Sequence, residues 1–220
     1  LVRDHPEVRL VLVDMAMPAL ERMEKTEIRT YMGLIESMVH ADGRLDRFEW
    51  LLGRPADRIV VASDRIPQYY EHAERMLEEG FGYACMCSAE KFREYRESKT
   101  NCPCRGKAPE ENLEDWNKML DGTYKPGDAV IRVKTDMTLK NPALRDWPAL
   151  RIQNTAEHPH PRKEIGSLYR VWPLLDFQSA VEDYLQGVTH IIRGKDLMDS
   201  TRKQKLLYDH FGWTYPETMY

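Results

Sequence analysis

The sequence predicts an α/β chain preceded by a helical segment, and three observations carry that expectation. Apolar residues recur at helical spacing up to about residue 52. From about Gly53, short apolar or alternating runs take turns with helical patterns bounded by proline and glycine. The stretch 168–213 then reads strand, helix, strand, helix, the pattern of parallel strands joined by a right-handed crossover.

In the first segment, Leu10, Val11, Val13, Met17, Leu20 and Met23 form one helical stripe, which Pro18 kinks or restarts. A second helix is predicted from about Thr26 to Val39, with Ile28, Met32, Leu34, Ile35 and Met38 on its apolar side. Asp42-Gly43 makes a turn before another helix near Leu45. That turn lacks the alternating carboxylates of a calcium loop, so it reads as helix–turn–helix. Beyond it, DRIVVAS, ending at Ser63, is predicted as a strand. IPQYYEHAERMLEEG is a helix with Pro67 in its first turn and Gly80 after its end. FGYACMC is a strand, and SAEKFREYRES a helix capped by Ser88. PEENLEDWNKMLDG is a helix that Pro109 opens and Gly122 closes, and DAVIRVKT alternates as a strand. In the final unit the strands of LYRVWP and VTHII are predicted as parallel neighbours. Ligands of such sheets bind outside the carboxyl ends of the strands, where WPLLDF and IIRGKD both fall.

Composition narrows the class. The 220 residues suffice for one good domain or two small ones. At 42% hydrophobic and 31% charged, the chain is neither disordered nor a membrane protein. The net charge of −4 means that any contact with nucleic acid must use a local basic patch. The longest apolar run, VRLVLVDMAMPAL, is interrupted by Asp14 and is too short to cross a bilayer, which needs about 20 apolar residues. No secretory signal pattern is present, and no membrane partner is expected. A chain running from Leu1 to Tyr220 without a closing element is expected to be a fragment. Nothing in it sets the oligomeric state.

All four cysteines fall in one window, as CMC (Cys85, Cys87) and CPC (Cys102, Cys104), fourteen residues apart. Alternate residues of a strand point to one side, so CMC offers two thiolates together. Four thiolates suit structural zinc, although C-x2-C is the commoner spacing. Four buried thiols are the next reading. Two disulfides are disfavoured because nothing suggests secretion. His158 and His160, each followed by proline, are read as an extended surface loop, since no carboxylate pair nearby completes a metal site.

Four stretches resemble one family in its own order. They are SDRIPQYYEHAERMLEEGFGYACMCSAEKFREYR, NCPCRGKAPEENLEDWNKML, HPHPRKEIGSLYRVWPLLDF and GVTHIIRGKDL. From about Gly53 to Tyr220 the chain resembles the catalytic core of a glutamyl-tRNA synthetase of archaeal type, in the class I group shared with glutaminyl-tRNA synthetases. The resemblance implies a partial Rossmann-like fold carrying an inserted α+β acceptor-binding domain. Residues 53–80 would belong to the nucleotide-binding fold, 81–153 to the insertion with its possible zinc site, and 154–220 to the second half of the nucleotide fold. Residues 1–52 resemble a TerB-like helical tail of some membrane zinc peptidases, but they carry no HExxH motif, so no peptidase chemistry follows.

The family is a cytoplasmic ligase. It activates glutamate with ATP and Mg, then transfers it to the 3′ end of tRNA, so glutamate, ATP and the tRNA acceptor end are the implied partners. The Arg of THIIRG, here Arg193, would contact the substrate side-chain carboxylate. A planar guanidinium binds a carboxylate through two hydrogen bonds. A glutamine amide would turn its NH2 toward those donors, at a cost of about 1–3 kcal/mol. The plain alternative for Arg193 is a surface pair with Asp196 or Glu182. Leu175 stands where the family usually has a tyrosine that contacts the amino acid, and Asp176 beside it would shape the pocket or cap the next helix. Arg105, Arg132 and Lys134 fall in the insertion, where cations would meet tRNA phosphates.

The HIGH-like and KMSKS-like motifs, which bind ATP phosphates in the family, are not found in this sequence. The sequence therefore predicts a glutamate–tRNA ligase core that is inactive alone. The alternative is a noncatalytic, zinc-stabilised module that binds the tRNA acceptor end.

Overall fold

Residues 60–220 are described by a computed structural model, and within them the expected helices form where their caps place them. The helices expected in residues 1–52, the Asp42-Gly43 turn, the TerB-like segment and the start of DRIVVAS lie outside the described residues.

Helix α1 spans Ile66–Glu78, with Pro67 in its first turn. It buries Ile66, Tyr69, Ala73, Met76 and Leu77, one stripe at helical spacing. Helix α2, Ala89–Ser98, starts at Ser88, whose hydroxyl accepts from the Lys91 N–H at 3.2 Å. Helix α3, Pro109–Asp121, has the Glu111 carboxylate accepting from the Ala108 N–H at 2.9 Å and stops at Gly122, whose φ is +93°. A side chain there would be strained by that positive φ, and it would also displace the guanidinium end of Arg170, whose Nη1 would lie 2.5 Å from a Cβ.

Strands β1 (Gly82–Cys85), β2 (Val130–Val133), β3 (Pro148–Ile152) and β4 (Val171–Pro173) form one antiparallel sheet in that order. Tyr83 faces Arg132 and Cys85 faces Val130 across β1 and β2. The strand period of two sorts these residues between two cores. Ala84, Ile131 and Val133 join the large core under α1 and α3, with Trp116, Met119, Leu150 and Val171. Tyr83 and Cys85 face the other way, into a small core with Phe92 of α2 and Cys102. Both faces of β1 are covered, which is why all four of its residues are buried.

Two sequence expectations are corrected. Residues 60–64 are not a strand: Ala62–Asp64 is a 3-10 turn, closed by Asp64 N–H to Val61 C=O at 2.9 Å and Arg65 N–H to Ala62 C=O at 3.0 Å. Those backbone groups bond within the turn and make no ladder. Nor is β4 a parallel neighbour of the THII strand. It pairs antiparallel with β3, Leu150 opposite Pro173 and Ile152 opposite Val171, so it extends the antiparallel sheet past residue 153. Pro173 has no N–H for a ladder and sits on this edge strand, where none is required. Helix α4, Leu175–Leu185, follows. Strand β5, His190–Ile192, then pairs parallel with β6, Glu217–Met219, across helix α5, Met198–Phe211. The crossover is thus made one unit later than the sequence suggested.

Helices α4 and α5 add Phe177, Ala180, Val181, Leu207, Tyr208 and Phe211 to the large core. Among the described residues no helix is long and apolar enough to cross a membrane.

Candidate substrate and metal sites

Arg193 lies immediately beyond β5, at its carboxyl end, and is half-buried. Its backbone N–H donates to the Met219 carbonyl at 3.1 Å, which continues the β5–β6 pairing and fixes where the side chain starts. Its Nη1 donates to Gln204 Oε1 at 2.9 Å and to Thr201 Oγ1 at 3.3 Å, both on α5. Tyr215 holds Gln204 in turn, donating its hydroxyl to the same oxygen at 2.9 Å. Among the described residues no carboxylate pairs with Arg193, and neither Asp196 nor Glu182 does so: Glu182 is taken by Arg65 at 3.0 Å. The group is a preoriented cation held by neutral partners, which leaves its charge available to an incoming anion. The acid nearest in effect is Asp183, whose pKa burial raises and Arg193 lowers in opposition, with a net rise.

Asp176 and Leu175 begin α4. Asp176 does not cap the helix: the capping position is Leu174, and no side chain caps it. Asp176 Oδ2 instead accepts from Lys203 Nζ on α5 at 2.7 Å, while Oδ1 is buried with no partner among the described residues. Leu175 is 61% exposed. Helix α5 therefore anchors both expected site residues, Arg193 through Thr201 and Gln204, and Asp176 through Lys203. Sequence reasoning missed those three anchors. A signal existed: Thr201 and Gln204 are polar residues on the buried stripe that continues through Leu207, Tyr208 and Phe211.

The four cysteines converge. Strand β1 delivers Cys85, the residues after it Cys87, and the Pro103–Gly106 turn brings Cys102 and Cys104 over them. All four sulfurs lie within 4.8 Å of one another, with Cys85–Cys102 and Cys87–Cys104 each at 3.9 Å. All are free thiols, so the disulfide reading is set aside. A tetrahedron of sulfurs about 2.3 Å from zinc has edges of roughly 3.8 Å, so the donor set fits zinc in number, type and spacing. The contact with Cys85 pulls the Cys102 thiol down to about 5, against burial and with help from Tyr83, while the same contact and burial push Cys85 up.

Behind the cysteines lies Asp146, which the sequence reading did not single out. It is fully buried, with φ +37°, a conformation that aspartate tolerates better than most residues. Its Oδ2 accepts from the Tyr83 hydroxyl and from Arg105 Nε, both at 2.9 Å, and its Oδ1 from the Thr135 N–H at 2.7 Å. Tyr83 also touches Cys102 at 3.5 Å, which links this carboxylate to the cysteine cluster. The three expected cations meet different fates here. Arg105 is pinned to Asp146 but remains a quarter exposed. Arg132 is a core residue: it is buried, its guanidinium lies 3.4 Å from the centre of the Phe92 ring, and Nη1 donates to the Asp146 carbonyl at 3.1 Å. That packing leaves Arg132 no open face for RNA. Lys134 is half-buried, and burial, then Arg105, lower its pKa. His160 stacks on Trp172 with centroids 5.4 Å apart.

Comparison with known proteins places these sites in context. The family described as tRNA synthetases class I (E and Q), catalytic domain, matches residues 35–220, starting earlier than the boundary near Gly53 expected from the sequence. The glutamate–tRNA ligase of Methanosarcina acetivorans is 52% identical over 177 residues, covering 80% of this chain and 30% of that protein. The glutamate–tRNA ligase of Archaeoglobus fulgidus is 47% identical over 197 residues, covering 90% of this chain and 34% of that protein. The chain thus spans about a third of the length of these relatives. A solved glutamate tRNA ligase from Elizabethkingia meningosepticum, in complex with its amino acid, gives a TM-score of 0.47 at 19% identity, covering 78% of this chain and 37% of that one.

Proposed function

This chain belongs to the catalytic-domain family of the class I tRNA synthetases for glutamate and glutamine, and from that premise we propose that it forms the substrate-reading part of a glutamate–tRNA ligase. In this reading Arg193 receives the side-chain carboxylate of glutamate. The observation that carries it is the half-buried guanidinium at the carboxyl end of β5, oriented by Thr201 and Gln204 and without a carboxylate ion-pair partner among the described residues. That is where an α/β sheet presents its ligand crevice. A carboxylate there would gain charge-assisted hydrogen bonds of about 1.5–3 kcal/mol each, whereas a glutamine amide would bring its own donors against the guanidinium. Asp176 and Leu175, at the start of α4, would border the amino acid, with leucine in place of the family's usual tyrosine.

The second part is the antiparallel sheet with its cysteine cluster, which we assign to the tRNA acceptor end. Arg105 and Lys134 are its cations, and structural zinc on Cys85, Cys87, Cys102 and Cys104 would fasten the Pro103–Gly106 turn to β1. Bound zinc supplies no chemistry to the reaction here; it would fix the position of the turn that carries Arg105.

ATP with Mg would be the activating substrate, as in the family. The 220 residues contain no HIGH-like or KMSKS-like motif to hold its phosphates. Incubated with ATP, Mg, tRNA and labelled glutamate, the purified chain is expected to yield no glutamyl-tRNA. Detectable charging would overturn that part of the reading.

A further inference from the structure

We infer that the cleft at the amino ends of β5 and β6 is a binding site for an organic cation, a guanidinium or alkylammonium head on an apolar body. Arg193 stands at the opposite, carboxyl ends of the same two strands. The cleft has a volume of about 470 Å³, within the range of small-molecule sites. Its walls include Asp183 and Tyr184 of α4, Thr189 before β5, Tyr208 of α5 and Tyr215 before β6.

The charge in this lining has one sign. Asp183 is its only charged residue, and among the described residues its half-buried carboxylate receives no hydrogen bond and no ion pair. A carboxylate drawn out of water without a partner is costly, and an incoming cation would offset that cost. Asp183 and Tyr184 also lie in the last turn of α4, whose carbonyls carry the partial negative charge of a helix C-terminus. That turn holds no basic residue to meet it. Arg193 is the cation nearest in effect: it opposes the rise that burial imposes on the Asp183 pKa, and Glu182 adds to the rise. Arg193 does not line the cleft, and its Nη1 is committed to Gln204 and Thr201, while Glu182 is paired with Arg65 at 3.0 Å.

The aromatic walls are a second, independent observation. Tyr184 is 45% exposed, and Trp213 stacks on it with ring centroids 3.7 Å apart and planes 4° apart, so the ring is held while much of it stays open. Tyr208 and Tyr215 meet edge to face at 4.9 Å. Their hydroxyls are already committed, to the Ala180 carbonyl at 3.1 Å and to Gln204 Oε1 at 2.9 Å, so they offer the cleft rings rather than donors. Tyrosine rings beside one carboxylate suit a cation with an apolar body. A divalent metal would need several oxygen ligands, and an anion would meet Asp183 with no cation to hold it.

The test is an amide NMR titration of the whole 220-residue chain with butylguanidinium and with butylurea, its neutral analogue. Butylguanidinium should shift the amides of Gly187, Val188, Thr189 and Tyr215, and butylurea should bind about tenfold more weakly or less. Asp183→Asn keeps the shape and removes the charge, so it should abolish that preference. Tyr184→Leu, at an exposed position, should weaken butylguanidinium about two- to fivefold, the share of one exposed cation–π contact. The amides of β1–β4 show in the same spectra that each variant is folded. Agmatine and the capped peptide acetyl-Gly-Arg-Gly-amide separate the two sources of such a head. Tighter binding of agmatine supports a free amine or guanidine as the ligand, and tighter binding of the peptide supports an arginine side chain of a partner. The site is refuted if butylguanidinium binds no better than butylurea, if Asp183→Asn leaves the preference intact, or if none of the four probes moves the cleft amides.

Discussion

Serine at Cys102 is expected to take the zinc content of the purified chain from close to one per chain to none, and to destabilise the cysteine-bearing turn. Cys102 is buried, 3.9 Å from Cys85 and 3.5 Å from the Tyr83 hydroxyl, so it occupies the inner corner of the cluster. Structural zinc contributes on the order of 10–16 kcal/mol of binding free energy in small zinc peptides, and in such sites binding energy is folding energy. A hydroxyl in place of a buried thiol in a metal-free core would cost far less, about 1–3 kcal/mol. Metal content and thermal unfolding with and without a chelator separate the two cases. A chelator should lower the melting temperature of the wild-type chain and leave the serine variant unmoved. A folded wild-type chain that carries no metal and ignores the chelator would remove zinc and leave four free thiols, of which Cys85 and Cys102 are buried.

Asp146→Ala should cost about 3–5 kcal/mol in urea unfolding, the range for breaking a buried ion pair by deleting one partner. The carboxylate is fully buried and receives three donors within 2.9 Å, from Tyr83, Arg105 and Thr135. Deleting it leaves the half-buried Arg105 guanidinium without its counter-charge and the buried Thr135 N–H without its acceptor. Alanine also tolerates φ +37° less well than aspartate, which adds to the loss. Asparagine keeps the local backbone preference and part of the acceptor capacity, so Asp146→Asn should lie between wild type and alanine. A loss under about 1 kcal/mol for alanine would mean that the network is not what holds the turn to the sheet.

Much of this fold was legible because its signals were local. Ser88, Pro109 and Gly122 mark helix ends by their own chemistry, and the structure ends the helices there. The alternation in β1 and β2 was visible, and so was the pairing of the cysteines by strand geometry. What failed was non-local. Nothing within LYRVWP says whether it will pair with β3 or with the THII strand; the decision lies in a partner some twenty residues back. DRIVVAS has the composition of a strand, and Ala62 to Asp64 nevertheless close a turn. Among the site residues, Arg193 stood out through its place at a strand end and the family resemblance. Arg132 looked like its neighbours in sequence, and only the strand period sends it under Phe92 into the small core. Asp146 gave no sign, since its role arises from three elements that meet only after folding.

Arg193 is the residue on which the assignment to glutamate turns, and glutamate binding by the chain tests it most directly. Saturation-transfer NMR with glutamate and glutamine, on wild type and on Arg193→Gln, reads the contact without requiring ATP chemistry. The account predicts that wild type prefers glutamate, and that the variant loses about tenfold or more of that affinity, the equivalent of one charge-assisted hydrogen bond of roughly 1.5 kcal/mol, with little change toward glutamine. Equal binding of the two amino acids by a folded wild-type chain, or glutamate binding untouched by Arg193→Gln, would contradict it.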